Sequence, residues 1–284
     1  MGHSAADSAP NIERRDIHFA VADHLTPTWM KGDPTLTAFC DALSMLFPEG
    51  ERFFIRSVNA YADRLEDPVL KEQVRAFIIQ EALHTREHEA YNRALAERGC
   101  DIALMEARAG AALNQAKAQL TRLAVTVAIE HMTAMFAHMV LRDPSLFADA
   151  PAPLRDLWTW HSLEEMEHKG VAFDVYVAAT AALGLSPWKS YVLRCVVMLK
   201  ATKLILGVQR ANMLTVLEGR GYPTRGRERL RRLWLMFGLP GYYRRGLPYF
   251  LRFFRPGFHP WEAREDGTAE GWRQRFKDMM ERTA

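Results

Sequence analysis

Between Trp160 and Tyr176 the chain reads WHSLEEMEHKGVAFDVY, which sets two histidines and three glutamates in eight consecutive positions and then turns apolar. At about 100° per residue, positions i, i+3, i+4 and i+7 share one face of a helix, so His161, Glu164, Glu165 and His168 project together. An ordinary solvated face pairs Glu with Lys or Arg; this one pairs it with imidazoles. Any fold the chain adopts must keep these groups in water or give them a common partner inside.

A second stretch poses the same problem. IIQEALHTREHEAYN carries Glu81, His84 and His88 at i, i+3 and i+7. Each segment thus holds Glu-x-x-His, as Glu81 with His84 and Glu165 with His168. Two lone glutamates stand in apolar settings: Glu51 before Phe53 and Phe54, and Glu130 inside LAVTVAIEHMTAMFAHMV. Glu49 competes with Glu51, which lies deeper in its helical run. One Glu from each of two helices, plus Glu-x-x-His from each of two others, is the ligand pattern of dinuclear carboxylate sites in ferritin-like bundles. Two divalent cations close together need anionic ligands shared between them, and each imidazole fills a terminal position. A single Glu-x-x-His on a solvated surface means little; two of them, with lone glutamates on the partner helices, form a set.

The rest of the chain predicts an all-α fold, with Ala, Leu, Met, Glu, Gln and Arg abundant and β-branched runs scarce. Residues 1–30 read as an irregular polar leader. Helical spacing begins at Asp33 or Thr35 as cap, with Pro34 in the first turn, and is interrupted at Pro48 and Gly50. Further helices are expected from about 68 to 98, from 102 to 141 with a bend near Gly110, and from the end of ADAPAPL to about 183. These make a ferritin-like four-helix bundle over residues 31–184, followed by a helical, basic and aromatic-rich extension over 185–284.

Five motifs, FPEGERFF, QEALHTREHEAYN, AIEHMTAMF, WHSLEEMEHKGVAFDVY and the late RPGFHPW, together resemble the bacterial proteins catalogued as predicted metal-dependent hydrolases of the ferritin-like superfamily. The resemblance covers about residues 15–265. More distantly, His161-x-x-x-Glu165-x-x-His168 is similar to an element of the di-iron arylamine N-oxygenases. Carried over position by position, the resemblance implies Glu51, Glu81, His84, Glu130, His161, Glu165 and His168 as ligands of two metal ions. His88 departs from that pattern and stands as an eighth ligand, a donor to a ligand, or a surface residue. Glu164 is a candidate hydrogen-bond partner for a ligand imidazole. Glu87, Glu89 and Glu167 are expected in solvent, and His131 and His138 in the core.

Oxygen and imidazole ligands suit iron, manganese or zinc. Iron is favoured, because carboxylate-bridged pairs in such bundles most often handle dioxygen. The expected activity is therefore that of an O2-activating di-iron oxidoreductase, using an external electron donor and a small apolar or aromatic substrate. Phe53, Phe54, Met132, Met135 and Phe173 are candidate pocket residues, with plain core packing as their other reading. The alternative is a metal-dependent hydrolase that activates water at the metal pair; a third class is a non-enzymatic metal-binding or sensing protein.

Charge divides the chain. Residues 1–184 carry 17 Lys and Arg against 26 Asp and Glu, and residues 185–284 carry 20 against 8. From Arg210 to Arg255 eleven arginines interleave with aromatic residues against two glutamates. Such a segment suits packing over the acidic bundle or a partner such as a second copy, or an anionic membrane surface; nucleic acid lacks a supporting motif. The N-terminal residues lack the apolar core of a secretory signal. Cys40, Cys100 and Cys195 form neither a disulfide framework nor a CxxC pair. The expected location is cytoplasmic, with peripheral attachment to the inner membrane surface as a variant. The nearest run to a membrane span, YVLRCVVMLKATKLILGV, is broken by Arg194, Lys200 and Lys203.

Overall fold

The computed structural model describes residues 12–239, 241–262 and 268–283, and every regular element among them is helical. Asp33 caps α1 (Pro34–Ser44), its carboxylate accepting from the Thr35 and Leu36 amides at 2.7 and 3.1 Å. Asp67 and Asp101 do the same for α3 (Pro68–Ala96) and α4 (Ile102–Leu113), and Pro48 sits harmlessly in the first turn of α2 (Phe47–Ala62). There follow α5 (Gln119–Arg142), α6 (Ala152–His168), α7 (Val171–Ala182), α8 (Pro187–Gly219), α9 (Arg227–Phe237), α10 (Tyr242–Arg252) and α11 (Thr268–Thr283).

Two expected helices are each divided. The third breaks at residues 114–118, between α4 and α5, and not at Gly110, which stays helical with the Glu49 carboxylate packed over it. The fourth breaks at Lys169 and Gly170, between α6 and α7. A distant segment packs at this break: the Trp261 ring lies so close to Gly170 that a Cβ there would sit 2.3 Å from it. The motif RPGFHPW is what delivers that ring. Arg194 of α8 donates to the Phe253 and Arg255 carbonyls, and His259 Nε2 lies 2.8 Å from Asp174 Oδ1 of α7.

Helices α2, α3, α5 and α6 pack in a closed circuit, α2 on α3, α3 on α6, α6 on α5 and α5 on α2. Around them α8 packs on α1 and α5, α10 on α5, and α11 on α6. The extension therefore shares the bundle's core: Met213, Val216, Met236 and Phe276 lie in one apolar cluster with Phe39 and Trp158. A second cluster gathers Phe53, Phe77, Phe173 and Tyr176. Helix α5 is long and apolar enough to cross a membrane, but 72% of its most apolar window is buried inside the protein. It is the central core helix.

Residues 12–21 have no helix, as expected of the leader, yet they are not a loose polar tail. Arg15, Ile17, Phe19 and Val21 alternate inward as an extended strap and are buried. Alternation of this kind marks a chain with one face on a core.

Replacing Gly170→Ala should destabilise the protein by roughly 1–3 kcal/mol, the usual cost of overpacking a closed site. Trp261→Leu in the same chain should cost less than the sum of the two single changes, as read from thermal unfolding of all four proteins.

Candidate metal centre

Helix α6 is buried on every side from Asp156 to its end, so His161, Glu164, Glu165, Glu167 and His168 all point at protein. Apolar walls hold the cluster. The His84 ring meets Trp160 edge-on at 4.8 Å, and His168 meets Phe77 at 5.0 Å, so the polar groups lie at the seam between the two apolar clusters.

Two sets of ligand atoms come together, each lying within 4.8 Å of one another. One comprises Glu81, His84, Glu165 and His168, the other Glu51, His88 and His161. They touch where His161 Nε2 lies 3.0 Å from Glu165 Oε1, and Glu130 Oε2 comes 3.3 Å from His168 Nδ1. All seven residues implied by the resemblance are thus in one place. Glu51, not Glu49, is the contributor from α2; Glu49 pairs with Arg52 at 2.8 Å.

The cluster is short of partners. Both oxygens of Glu51, Glu81 and Glu130, both nitrogens of His168, and Nδ1 of His84 are buried with no hydrogen bond among the described residues. His168 approaches Glu81 Oε1 at 3.6 Å, too long for a hydrogen bond, and Glu130 Oε2 at 3.3 Å without the angles of one. Buried polar atoms are nearly always paired. Here nine orphans converge on one point, which is the signature of donors that wait for a cation.

The surrounding hydrogen bonds sharpen that reading. Asn92 Nδ2 donates to the Ser44 and Glu106 oxygens, which fixes its amide so that Oδ1 accepts from Ser44 Oγ at 2.9 Å. Ser44 Oγ must then accept from His88 Nδ1, 2.9 Å away. Burial holds the His88 pKa well below its usual value, so the ring is neutral and its Nε2 is an acceptor. Facing it at 2.9 Å is His161 Nδ1, which therefore carries the proton. His161 Nε2 is left with a lone pair aimed at the Glu165 carboxylate. Two lone pairs at 3.0 Å repel unless a proton or a metal cation lies between them. His88 is accordingly no surface residue: Ser44 engages its Nδ1, and its Nε2 faces His161.

On the opposite side, His84 Nε2 lies 3.0 Å from Glu164 Oε2. Glu164 also accepts from Arg15 Nη1, 3.4 Å away, and with Nε2 engaged by Glu164 the unpaired His84 Nδ1 turns to the cluster. Burial raises the Glu164 pKa and the Arg15 charge opposes it. Thr133 Oγ1 donates to Glu165 Oε2 at 2.5 Å. These contacts fix the ligand rings and carboxylates before any ion arrives.

Two expectations are corrected here. Glu167 and Glu87 are buried, not solvated. Arg15 of the strap grips Glu167 through two bonds of 2.8 Å, and Glu87 accepts the Phe19 amide at 2.9 Å and Arg86 Nε at 2.8 Å. Sequence reasoning missed Arg15, whose only signal was its place in the alternation of the leader. Glu89 is exposed and pairs with Arg52. His131 lies in the core with Nε2 3.2 Å from the Tyr249 carbonyl, and burial pushes its pKa down to about 4.

The family described as predicted metal-dependent hydrolases matches residues 13–264. The chain belongs to this family. No curated protein and no solved structure matches it. A metal-dependent hydrolase needs anionic and imidazole donors converging in a dry site, and the buried glutamates and histidines supply them. The matched span takes in all seven residues, the strap's Arg15 and the Trp261 that closes on Gly170.

The electrostatics give a signed expectation for the metal-free protein. Burial raises Glu51 and Glu81 well above the ordinary carboxylate range and Glu130 to about 7. A raised carboxylate pKa stabilises the fold while the group is protonated, and that stability is lost as pH rises through the folded value. The lowered values of His84 and His88 act oppositely, but only below about pH 6.5, where the unfolded imidazole still binds protons. As pH rises above about 6.5, where the histidine contribution has ended, the chelated protein should therefore lose thermal stability while the metal-loaded protein does not, a comparison that calorimetry can make. Separately, Glu164→Gln should weaken Fe(II) or Zn(II) binding by roughly 10- to 100-fold with little change in the circular-dichroism spectrum.

Proposed function

We propose that this chain binds a pair of metal ions through Glu51, Glu81, His84, Glu130, His161, Glu165 and His168, and uses iron there to oxidise a small apolar or aromatic substrate with dioxygen. The bundle is read as ferritin-like on the same ligand pattern. When bound, such a pair supplies redox chemistry toward dioxygen if it is iron, and activation of water if it is zinc.

The observation that supports oxidation is the cavity beside the cluster. A space of about 100 Å³ is lined by Phe39, Leu46, Phe54, Met132, Met135 and Trp158, among others, and opens onto His161 and Glu165. A dry cavity on the order of 150 Å³ takes benzene, so this smaller one suits an apolar molecule no larger than that unless the lining moves. Of the polar side chains at its wall, Thr133 gives its hydroxyl proton to Glu165 and Ser162 gives its own to the Trp158 carbonyl, while Gln209 gives one of its two amide protons to the Phe39 carbonyl. Thr133 and Ser162 thus offer no proton to a developing oxyanion, which hydrolysis of an ester or amide requires. Of the five candidate pocket residues, Phe54, Met132 and Met135 line the cavity, whereas Phe53 and Phe173 pack in the second apolar cluster.

In this reading the chain's own residues bind and orient. His161 and Glu165 bring the metal-facing side of the site to the cavity wall. His88 and Ser44 hold the His161 proton on Nδ1, Glu164 holds the His84 ring with Nδ1 toward the cluster, and the apolar lining excludes water. An external donor would supply electrons for turnover. Hydrolysis remains the second reading, favoured by the description of the family.

Oxygen uptake separates the two. The reduced, iron-loaded protein should consume dioxygen, and His161→Ala should retain most of its iron while changing the optical spectrum and slowing uptake by about tenfold or more. No uptake by the parent, together with steady ester or amide hydrolysis under zinc or manganese, would establish hydrolysis instead.

A further inference from the structure

The basic extension is only partly explained by packing on its own bundle. Between Arg225 and Arg255 the sequence has nine arginines and one glutamate. Arg231 pairs with Asp33 of α1, Arg245 with Asp143 and Arg255 with Glu262, while Arg232 is buried against the Pro223 and Thr224 carbonyls. Arg225, Arg227, Arg229, Arg244 and Arg252 make no ion pair among the described residues, and all five are exposed. Arg244 bonds only the Gly238 and Leu239 carbonyls, and Arg252 lies over the Tyr249 ring. Neither contact neutralises a charge.

Helix α9 turns its apolar stripe the wrong way for a core helix. Leu230, Leu233, Trp234 and Phe237 stand at i, i+3, i+4 and i+7, and all are exposed, Leu230 at 67% and Trp234 at 53%. At about 100° per residue, Arg227 falls at one edge of this stripe and Arg229 at the other. The apolar surface continues through Leu239, 71% exposed, to α10, where Leu247 and Leu251 share an exposed face with Arg244. Arg244 itself bonds the Leu239 carbonyl and so joins the two helices.

We propose that α9 and α10 form a docking surface for an anionic lipid bilayer, with the apolar stripe inserted at the headgroup boundary and the flanking arginines on lipid phosphates. An exposed apolar stripe with a central Trp and cations at both edges matches that interface at each level. A second copy of the chain is a poorer occupant, because a two-fold contact sets the same arginines against each other. Nucleic acid would satisfy the arginines and leave the aliphatic stripe in water.

The surface is also continuous with the interior. Phe237 stacks on Tyr243 at 5.2 Å, and Tyr243 lines the cavity beside His161 and Glu165. A groove of about 440 Å³ between α8 and α9, with Arg210, Arg229 and Leu233 in its wall, shares Phe39, Leu206, Gln209 and Tyr243 with that cavity. An apolar molecule dissolved in the bilayer would meet the site through this groove. The docking itself does not depend on which reaction the metal site performs.

Flotation of the full metal-loaded chain tests the proposal, with vesicles of phosphatidylcholine alone beside vesicles that also contain phosphatidylglycerol. Binding should require the anionic lipid and weaken as salt rises. Each arginine near such a surface is worth about fivefold in partitioning, so Arg227→Glu with Arg229→Glu should lower binding by roughly 30-fold or more. Leu230→Ser with Trp234→Ser should abolish it. Both pairs are exposed, so each variant should keep the parent's thermal midpoint and metal content, which shows that lost binding is not lost folding. Equal binding to neutral and anionic vesicles, or unchanged binding by both variants, would overturn the proposal. So would a dimer in sedimentation equilibrium that the Trp234 variant dissociates while the parent ignores vesicles.

Discussion

Four carboxylates, Glu51, Glu81, Glu130 and Glu165, are buried together in the middle of one helical protein, and most of what surrounds them answers that charge. Isolated ions in such a place cost several kcal/mol each even after relaxation. The chain has three answers. Imidazoles are interleaved with the carboxylates, an outer layer of Arg15 and Arg273 balances Glu164 and Glu167, and the innermost oxygens are left without hydrogen bonds. The last would be a plain defect in a protein that never held a cation there.

The elements outside the circuit of α2, α3, α5 and α6 serve this arrangement from a distance. The strap of residues 12–21 carries Arg15 beneath α6. RPGFHPW sets Trp261 on Gly170, two residues after His168, at the break between α6 and α7. Helices α8 and α10 close the outer end of the apolar cavity through Leu206, Tyr242 and Tyr243. A dry, enclosed site makes every electrostatic interaction within it stronger, which is why a family that works with metals would keep its cluster behind so much packing.

The charge asymmetry of the sequence resolves into two kinds of arginine. Those facing inward meet acids of the bundle, as Arg231 does Asp33, Arg245 does Asp143 and Arg275 does Asp156. Those at the margins of α9 and α10 meet none among the described residues. The first kind fastens the extension to the bundle and the second gives it an outward-facing field. The same basic tract thus serves packing and surface chemistry, and residue counting alone cannot apportion the two.

The site was legible in the sequence because its signal is local. Glu-x-x-His repeats within a few residues, and a helix converts that spacing into direction, so the convergence of Glu81 with His84 and of Glu165 with His168 followed from helical geometry. The lone Glu51 and Glu130 could be picked out because each stands beside an apolar run, Glu51 just before Phe53 and Phe54 and Glu130 after LAVTVAI. The all-helical class and the cap at Asp33 were equally local. What the sequence could not show depends on contacts between distant residues. The role of His88 rests on Ser44 and Asn92, and the burial of Glu167 rests on Arg15, 152 positions away. The Trp261 contact at the α6–α7 break joins segments about ninety positions apart, and the outward turn of the α9 stripe rests on which side of that helix, the one with Met236, meets the core. Helical periodicity fixes which residues share a face. Only tertiary packing decides what that face meets.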